Sequence, residues 1–387
     1  MKAIVNGNIM TMAGKNYENG TILIEGTKIK AVGPKSKIGI PKNAEVIDAK
    51  GRLVLPGFVE AHSHLGLFDE IIGFRGADGN EITDPITPQL RAIDSIYPFD
   101  GPFEETYKKG VTTVVTGPGS ANVIGGQFAA IKTYGVSVDE MLIKAPVAMK
   151  CAFGENPKVC YNELRRMPTT RMGVAALLRE ALFQTKDYMA RKKAAKGDPA
   201  KMPAYNAKWE ALIPVVEGKL PIKVHAHRAD DILTAIRIAK EFKLKMTLDH
   251  CTEGHLIVDQ IKASGFNAII GPSYGDKSKP ELKNKCFETA AVLSKAGIKI
   301  AIMTDNPVLP QGDLPMFASM AVKAGMDRNE ALKAITINAA ERTGIQKWVG
   351  SLEAGKDADV VIWDDDPFTL NPDAAVVMIR GEVVHKK

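Results

Sequence analysis

The sequence predicts an α/β protein, a (β/α)8 TIM barrel with a small β-sandwich formed by the N- and C-terminal segments. Three observations lead there. Short alternating segments with turn residues between them occupy both ends of the 387-residue chain. Between the ends, eight apolar runs of strand type are interleaved with helical periodicity. Six of the seven histidines fall at or just past the ends of those runs, where a barrel collects its functional side chains.

Taken in order, residues 2–5, 21–25, 28–32, 45–48 and 53–55 read as strands, with Asn6-Gly7, Gly26 and Gly33-Pro34 as turns. This segment is too small for a core of its own. The C-terminal stretch repeats the pattern, with 358–363 and 376–379 rich in β-branched residues and Gly350, Gly355 and Gly381 at the bends. Pairing the two ends gives a sandwich domain of residues 1–55 and 346–387, flanking a barrel of residues 56–345.

The barrel runs are 58–62, 111–116, 127–133, 146–152, 221–226, 245–251, 266–270 and 298–304. After the fifth, Ile232, Ala235, Ile236, Ala239 and Phe242 recur at helical spacing; after the sixth, Leu256, Ile257, Gln260 and Ile261 do so. Continuous apolar strands alternating with helices predict a parallel sheet covered by helices, and the count of eight favours a closed barrel. No G-x-G-x-x-G opens a helix, which counts against an open dinucleotide-binding sheet.

Composition narrows the function classes. With 45% hydrophobic and 25% charged residues the chain is of ordinary globular type, so global disorder and fibrous structure are excluded. No run approaches the roughly 18 apolar residues of a spanning helix, and the first residues break off before a signal-peptide core. Four cysteines without a C-x-x-C pair fit a reducing compartment. The expectation is a cytoplasmic protein with no membrane or nucleic-acid partner, acting on a small molecule, with a homo-oligomer open. The net charge of +6 is local, because residues 165–208 hold eleven Lys/Arg against three Asp/Glu. That concentration reads as one solvated basic helix rather than a phosphate-binding face.

The chemistry lies at the strand ends. His62 and His64 are two apart on a strand and therefore share a face, so one strand can offer two imidazoles to one metal. Val224-His225-Ala226-His227-Arg228, Leu248-Asp249-His250-Cys251 and Met303-Thr304-Asp305-Asn306-Pro307 end three further strands. Histidines with one aspartate suit a divalent transition metal, zinc first, with manganese, iron or nickel as alternatives. Lys150 stands inside a barrel strand, where an unpaired ammonium is costly, and Glu155 follows just beyond as a structural partner for it. Cys151 and Cys251 adjoin these positions but face the other way, as packing residues. His255 packs at the start of its helix. The glycine loops 117–119 and 125–127 read as substrate-loop turns, with Gln127 a substrate-binding candidate.

Leu55-Pro56-Gly57-Phe58-Val59-Glu60-Ala61-His62-Ser63-His64, the three strand ends and the tail 350–361 together resemble the amidohydrolase superfamily, nearest its imidazolonepropionase-like and Xaa-Pro dipeptidase-like branch. The resemblance covers nearly the whole chain. It implies metal ligation by His62, His64, His225, His250 and Asp305, with one or two ions per chain. It also implies a fourth-strand bridging ligand, either carbamylated Lys150 or Glu155. Glu60 departs from the aspartate more usual in the family.

The expected activity is hydrolysis of a C–N bond in a small peptide, acylated amino acid or cyclic amide by a metal-activated water. Asp305 and His250 are the catalytic candidates, with Asp305 moving the proton. His227 and Arg228 would contact substrate, Arg228 through a substrate carboxylate. Deamination of a heterocycle uses the same apparatus and is the nearest alternative. A non-catalytic scaffold of the same fold is a further one.

Overall fold

A computed structural model describes residues 1–69 and 73–387. The N-terminal strands are β1 (Lys2–Met10), β2 (Asn16–Glu25), β3 (Lys28–Pro34), β4 (Glu45–Asp48) and β5 (Leu53–Pro56). The barrel strands are β6 (Phe58–Ser63), β7 (Val111–Thr116), β8 (Ile124–Lys132), β9 (Leu142–Ala152), β10 (Ile222–Ala226), β11 (Met246–His250), β12 (Asn267–Ile270) and β13 (Ile300–Ile302). The tail supplies β14 (Val360–Trp363), β15 (Ala374–Ile379) and β16 (Glu382–Lys386).

The eight barrel strands form one nearly closed sheet in the order β6 to β13. Helices follow several of them, and the expected periodicity holds in the helix Ala229–Phe242, whose Ile232, Ala235, Ile236, Ala239 and Phe242 are all buried. The uniformly parallel sheet does not hold. β8 runs antiparallel to both β7 and β9. The reason lies in the connections, 117–123 and 133–141, which are too short for the crossover of about a dozen residues that a parallel return needs.

No ladder joins β13 to β6 among the described residues. That seam is held by side chains and one main-chain bond, His64 N to Asn306 O at 2.8 Å. Buried Glu60 on β6 accepts from the His62 amide through Oε1 (3.1 Å), and through Oε2 from the Thr304 amide (2.9 Å), the Thr304 hydroxyl (3.0 Å) and Gln311 Nε2 (2.7 Å). The longer side chain found where aspartate is usual thus reaches across the seam to the segment after β13. Burial pushes its carboxyl up to about 7, against the pull of those hydrogen bonds.

The two ends of the chain make a separate sheet in which β5 pairs antiparallel with β14. Its own core includes Ile4, Ile22, Val54, Val360 and Met378. Asn6-Gly7 is not a turn: β1 continues through it with register shifts on either side, the mark of a β-bulge. The bulge fits glycine, because a Cβ at Gly7 would lie 2.8 Å from the Val54 side chain.

Sheet and barrel meet over a buried ion cluster. Lys132, at the end of β8, pairs with Asp359 and, at 2.9 Å, with Asp357. Asp357 also holds Lys28 at 2.5 Å. β8 being antiparallel, its last residue lies at the lower end of the barrel, opposite the carboxyl ends of the parallel strands. The basic segment 165–208 is largely the helix Arg171–Ala194, several of whose cations meet carboxylates, as in Arg179 with Glu241 and Lys192 with Glu210. No helix among the described residues is long and apolar enough to cross a membrane.

Candidate metal centre

The upper end of the barrel gathers the strand-end residues into two groups. His62, His64 and Asp305 bring their ligand atoms within 4.8 Å of one another, and so do His225, His227 and His250. All six are buried. They line or adjoin a cavity of about 1170 Å³ whose wall includes His64, Phe68, Asn80, Ser120, Tyr274 and Lys279. A volume of that order admits a dipeptide-sized molecule with its water.

The imidazoles are oriented from behind. His62 Nδ1 donates to Asp249 Oδ2 (2.5 Å), His64 Nδ1 to Gly117 O (2.6 Å) and His250 Nδ1 to Gly271 O (2.9 Å). With Nδ1 carrying the proton, each Nε2 keeps its lone pair for a ligand. His227 Nδ1 is likewise tied, to Thr252 Oγ1 at 2.8 Å. Burial, reinforced by nearby positive groups, drives His62, His225, His227 and His250 well below the usual imidazole range, so they are neutral. Burial would raise the Asp305 carboxyl, but His250 and His64 outweigh it and hold it below the usual range.

The backbone is strained at the same places. His250 (φ 68), Cys251 (φ 47) and Asp305 (φ 60) adopt the left-handed region without being glycine. The turn of chain at His250 also breaks strand alternation, which lets both Asp249 and His250 face the interior. Asp249 is the residue that holds His62, and it in turn takes Thr247 Oγ1 (2.7 Å) and Lys223 Nζ (2.8 Å). Neither Asp249 nor Lys223 was expected at the site. A lysine between Ile222 and Val224 was the available signal, since a charge in an apolar strand requires a buried partner.

Lys150 is fully buried, with Nζ 3.2 Å from His62 Nε2. Burial pulls its ammonium down to about 8, Asp305 and Asp249 opposing. Burial thus favours the neutral amine, the form that can react with carbon dioxide.

Other expected residues lie elsewhere. Arg228 is held in a fork by Asp230, through Nε and NH2 at 2.9 Å each, and does not line the cavity. Gln127 faces away from the interior that Phe128 fills, donates to Pro88 O at 3.1 Å, and borders a separate small cavity. Glu155 meets the site through its main chain, its N–H donating to Glu281 Oε2 at 2.9 Å. Cys151 and Cys251 are buried, their thiols pushed up to about 12 by burial, as packing residues should be. His255 bonds Thr289 Oγ1 at 2.9 Å, on the helix Glu288–Lys295.

Glu281 was not anticipated. It lies beyond β12 in a lysine-rich loop with no periodicity to mark it, and it is fully buried with Oε1 3.6 Å from His227 Nε2 and 3.9 Å from His225 Nε2. Gly154 makes room: its φ is +83, and a Cβ there would stand 2.6 Å from Glu281 Oε2.

A metal is a good fit to this donor set. His225 Nε2, His250 Nε2 and Asp305 Oδ1 are buried without a hydrogen-bond partner, and such orphans are costly unless something claims them. Neutral imidazoles and a carboxylate with lone pairs aimed at one space are divalent-metal ligands.

The comparisons agree with this geometry. Residues 53–384 match the Amidohydrolase family. Amidohydrolase tasK of Hapsidospora irregularis is 29% identical over 94% of this chain, which spans 39% of that longer protein. Imidazolonepropionase of Pseudomonas savastanoi pv. phaseolicola is 27% identical over 92% of this chain and 91% of its own. Among solved structures, an amidohydrolase from Thermotoga maritima MSB8 superposes over 100% of both chains with a TM-score of 0.95 at 38% identity. A Xaa-Pro dipeptidase with bound methionine shares the fold over 99% of both chains, with a TM-score of 0.58 at 19% identity. With six buried ligand candidates at the mouth of the barrel and a family match over most of its length, this chain belongs to the amidohydrolase family and is a hydrolase acting on carbon–nitrogen bonds.

Proposed function

We propose that the protein hydrolyses the amide bond of a small peptide, an N-acyl amino acid or a cyclic amide, with two divalent metals, zinc in the first place, that would be held by the strand-end residues together with carbamylated Lys150. The observation that carries this reading is the set of buried lone pairs of imidazole and carboxylate converging at the upper end of the barrel, a donor set suited to a divalent cation. His62, His64 and Asp305 would hold one ion, and His225 and His250 would contribute to the other. Such ions supply a polarised carbonyl and a water that ionises near neutrality.

The protein's own groups do the rest. Asp305, through its carboxylate oxygen not given to the ion, would take the proton of the attacking water and pass it to the departing nitrogen, a role that suits a carboxylate kept ionised. Asp249 fixes the His62 ring, and the Gly117 and Gly271 carbonyls fix His64 and His250. Lys150 gains an anionic end group on carbamylation, which offsets the repulsion between two close cations. Lys150 is favoured over Glu155 because its Nζ already lies beside His62. A substrate carboxylate would find its counter-charge among Lys277, Lys279 and Lys285, which line the cavity, rather than at Arg228.

The test is to assay metal in the purified protein and to screen it against dipeptides, N-acyl amino acids, cyclic amides and aminated heterocycles. Turnover of one of the first three, lost on chelation and restored by zinc, manganese or iron with bicarbonate present, is the expected result. Turnover confined to release of ammonia from a heterocycle would replace this reading with a deaminase.

A further inference from the structure

We infer that the second metal centre is completed by His227 and Glu281, so that His225, His227, His250 and Glu281 form a four-ligand set of their own. This rests on the metallohydrolase reading above and extends it to two residues that the fourth-strand bridge does not involve.

The three imidazoles form a closed triangle, with ring centroids 4.6 Å apart for His225 and His227, 4.2 Å for His225 and His250, and 4.5 Å for His227 and His250. Their ligand nitrogens lie within 4.8 Å of one another. Buried neutral rings with lone pairs converging repel one another unless a cation sits between them. The Glu281 carboxylate borders this triangle: Oε1 is 3.6 and 3.9 Å from two of the nitrogens. Donors on one zinc-like ion, each at about 2.1 Å, stand roughly 3.4 Å apart, so these gaps are of the right size.

Second contacts fix the two added ligands. His227 is turned by Thr252, leaving Nε2 toward Glu281. Glu281 is anchored through its other oxygen, Oε2, by the Glu155 amide. Lys279 shares Oε1 at 2.5 Å, and Asn156 Oδ1 offers the same ammonium an alternative acceptor at 2.7 Å. A cation taking Oε1 therefore does not strand Lys279. Charge favours the set as well, since the Glu281 carboxylate adds a negative charge beside three neutral nitrogens.

Cobalt(II) tests ligation directly. The full-length protein is stripped with a chelator, titrated with Co2+, and followed by metal analysis and by near-ultraviolet absorption, with the unmutated protein as the baseline for its own cysteines. We expect two equivalents in the unmutated protein. Glu281→Cys and, independently, His227→Cys should each add an intense thiolate-to-cobalt charge-transfer band that grows with the second equivalent. Glu281→Gln should weaken that equivalent at least tenfold and leave the first unchanged. If both cysteine variants have an unaltered circular dichroism spectrum, take two equivalents and show no added band, the inference is wrong. It is equally wrong if the unmutated protein takes one ion, lost in His62→Ala and indifferent to Glu281→Gln, although the hydrolase reading then stands. No metal and no hydrolysis under any loading would overturn both.

Discussion

At the lower end of the barrel Lys132 is buried with two carboxylates on its ammonium, while at the upper end His225 Nε2, His250 Nε2 and Asp305 Oδ1 are buried without a hydrogen-bond partner. Both ends enclose polar groups that would be expensive alone, and they resolve the expense differently. The lower cluster is complete within the chain, so its contribution is structural. The upper one is complete only with something added, and it coincides with left-handed backbone at His250 and Asp305. Burial of charge by itself therefore does not mark a functional site; here the mark is that unpartnered imidazole and carboxylate atoms converge on one space.

The comparison breaks most visibly if Asp305 is altered. Asp305→Asn should lower kcat/KM by about 10²–10⁴-fold, the usual weight of a positioned proton-transfer group, with the unfolding midpoint in urea nearly unchanged. A large stability loss with little effect on rate would place Asp305 with the structural cluster instead.

Lys132→Met is the converse. Removing one partner of a buried ion cluster costs about 3–5 kcal/mol, measured by urea unfolding, while the metal content of the folded fraction should be unaffected. The pH dependence has a definite sign. Burial would raise the Asp357 carboxyl, but Lys132 and Lys28 outweigh it and hold it below its ordinary 3.8. Its stabilising contribution is therefore present above pH about 4 and is lost as pH falls through the depressed folded value. Stability of the unmutated protein should drop more steeply between pH 5 and pH 3, to use a rough window, than that of Lys132→Met. Parallel curves would mean that the cluster contributes no such linkage.

Smaller effects sharpen the boundary between the two kinds of site. Gly154→Ala puts a Cβ on a left-handed residue against Glu281, and should cost somewhat more than about 1 kcal/mol while weakening metal retention. Unchanged stability and retention would show that the close approach relaxes freely. Arg228→Met should change stability by less than about 0.5 kcal/mol and leave KM for acidic and amidated substrates alike, because its fork is already filled by Asp230. A sharp rise in KM for acids alone would return Arg228 to the substrate.

What was legible in the sequence followed from position along strands. His62, His64, His225, His250 and Asp305 each end an apolar run, and a barrel brings such ends together. Lys150 was legible as a charge inside a strand. Asp249 and Glu281 were not, for different reasons. Asp249 adjoins a ligand, and only the φ of 68 at His250 lets both face inward. Glu281 sits in a loop whose path depends on tertiary contacts, among them the space left by Gly154. Gln127 lies within β8, which runs antiparallel, and its neighbour Phe128 takes the inward direction beside His62. The direction of β8 was written in its short connections rather than in its apolar pattern.

The Lys132 cluster also sets an order of events during synthesis. Lys132 and Asp359 are 227 residues apart in sequence. At about 5–20 residues per second, a ribosome needs roughly 10–45 s to deliver the second after the first. Throughout that interval a nascent barrel carries an ammonium destined for burial whose acceptors do not yet exist, and β5 waits equally for β14. The finished structure is thus locked from its tail, and a chain released before residue 357 would lack the acceptors for an inner charge at the base of its barrel.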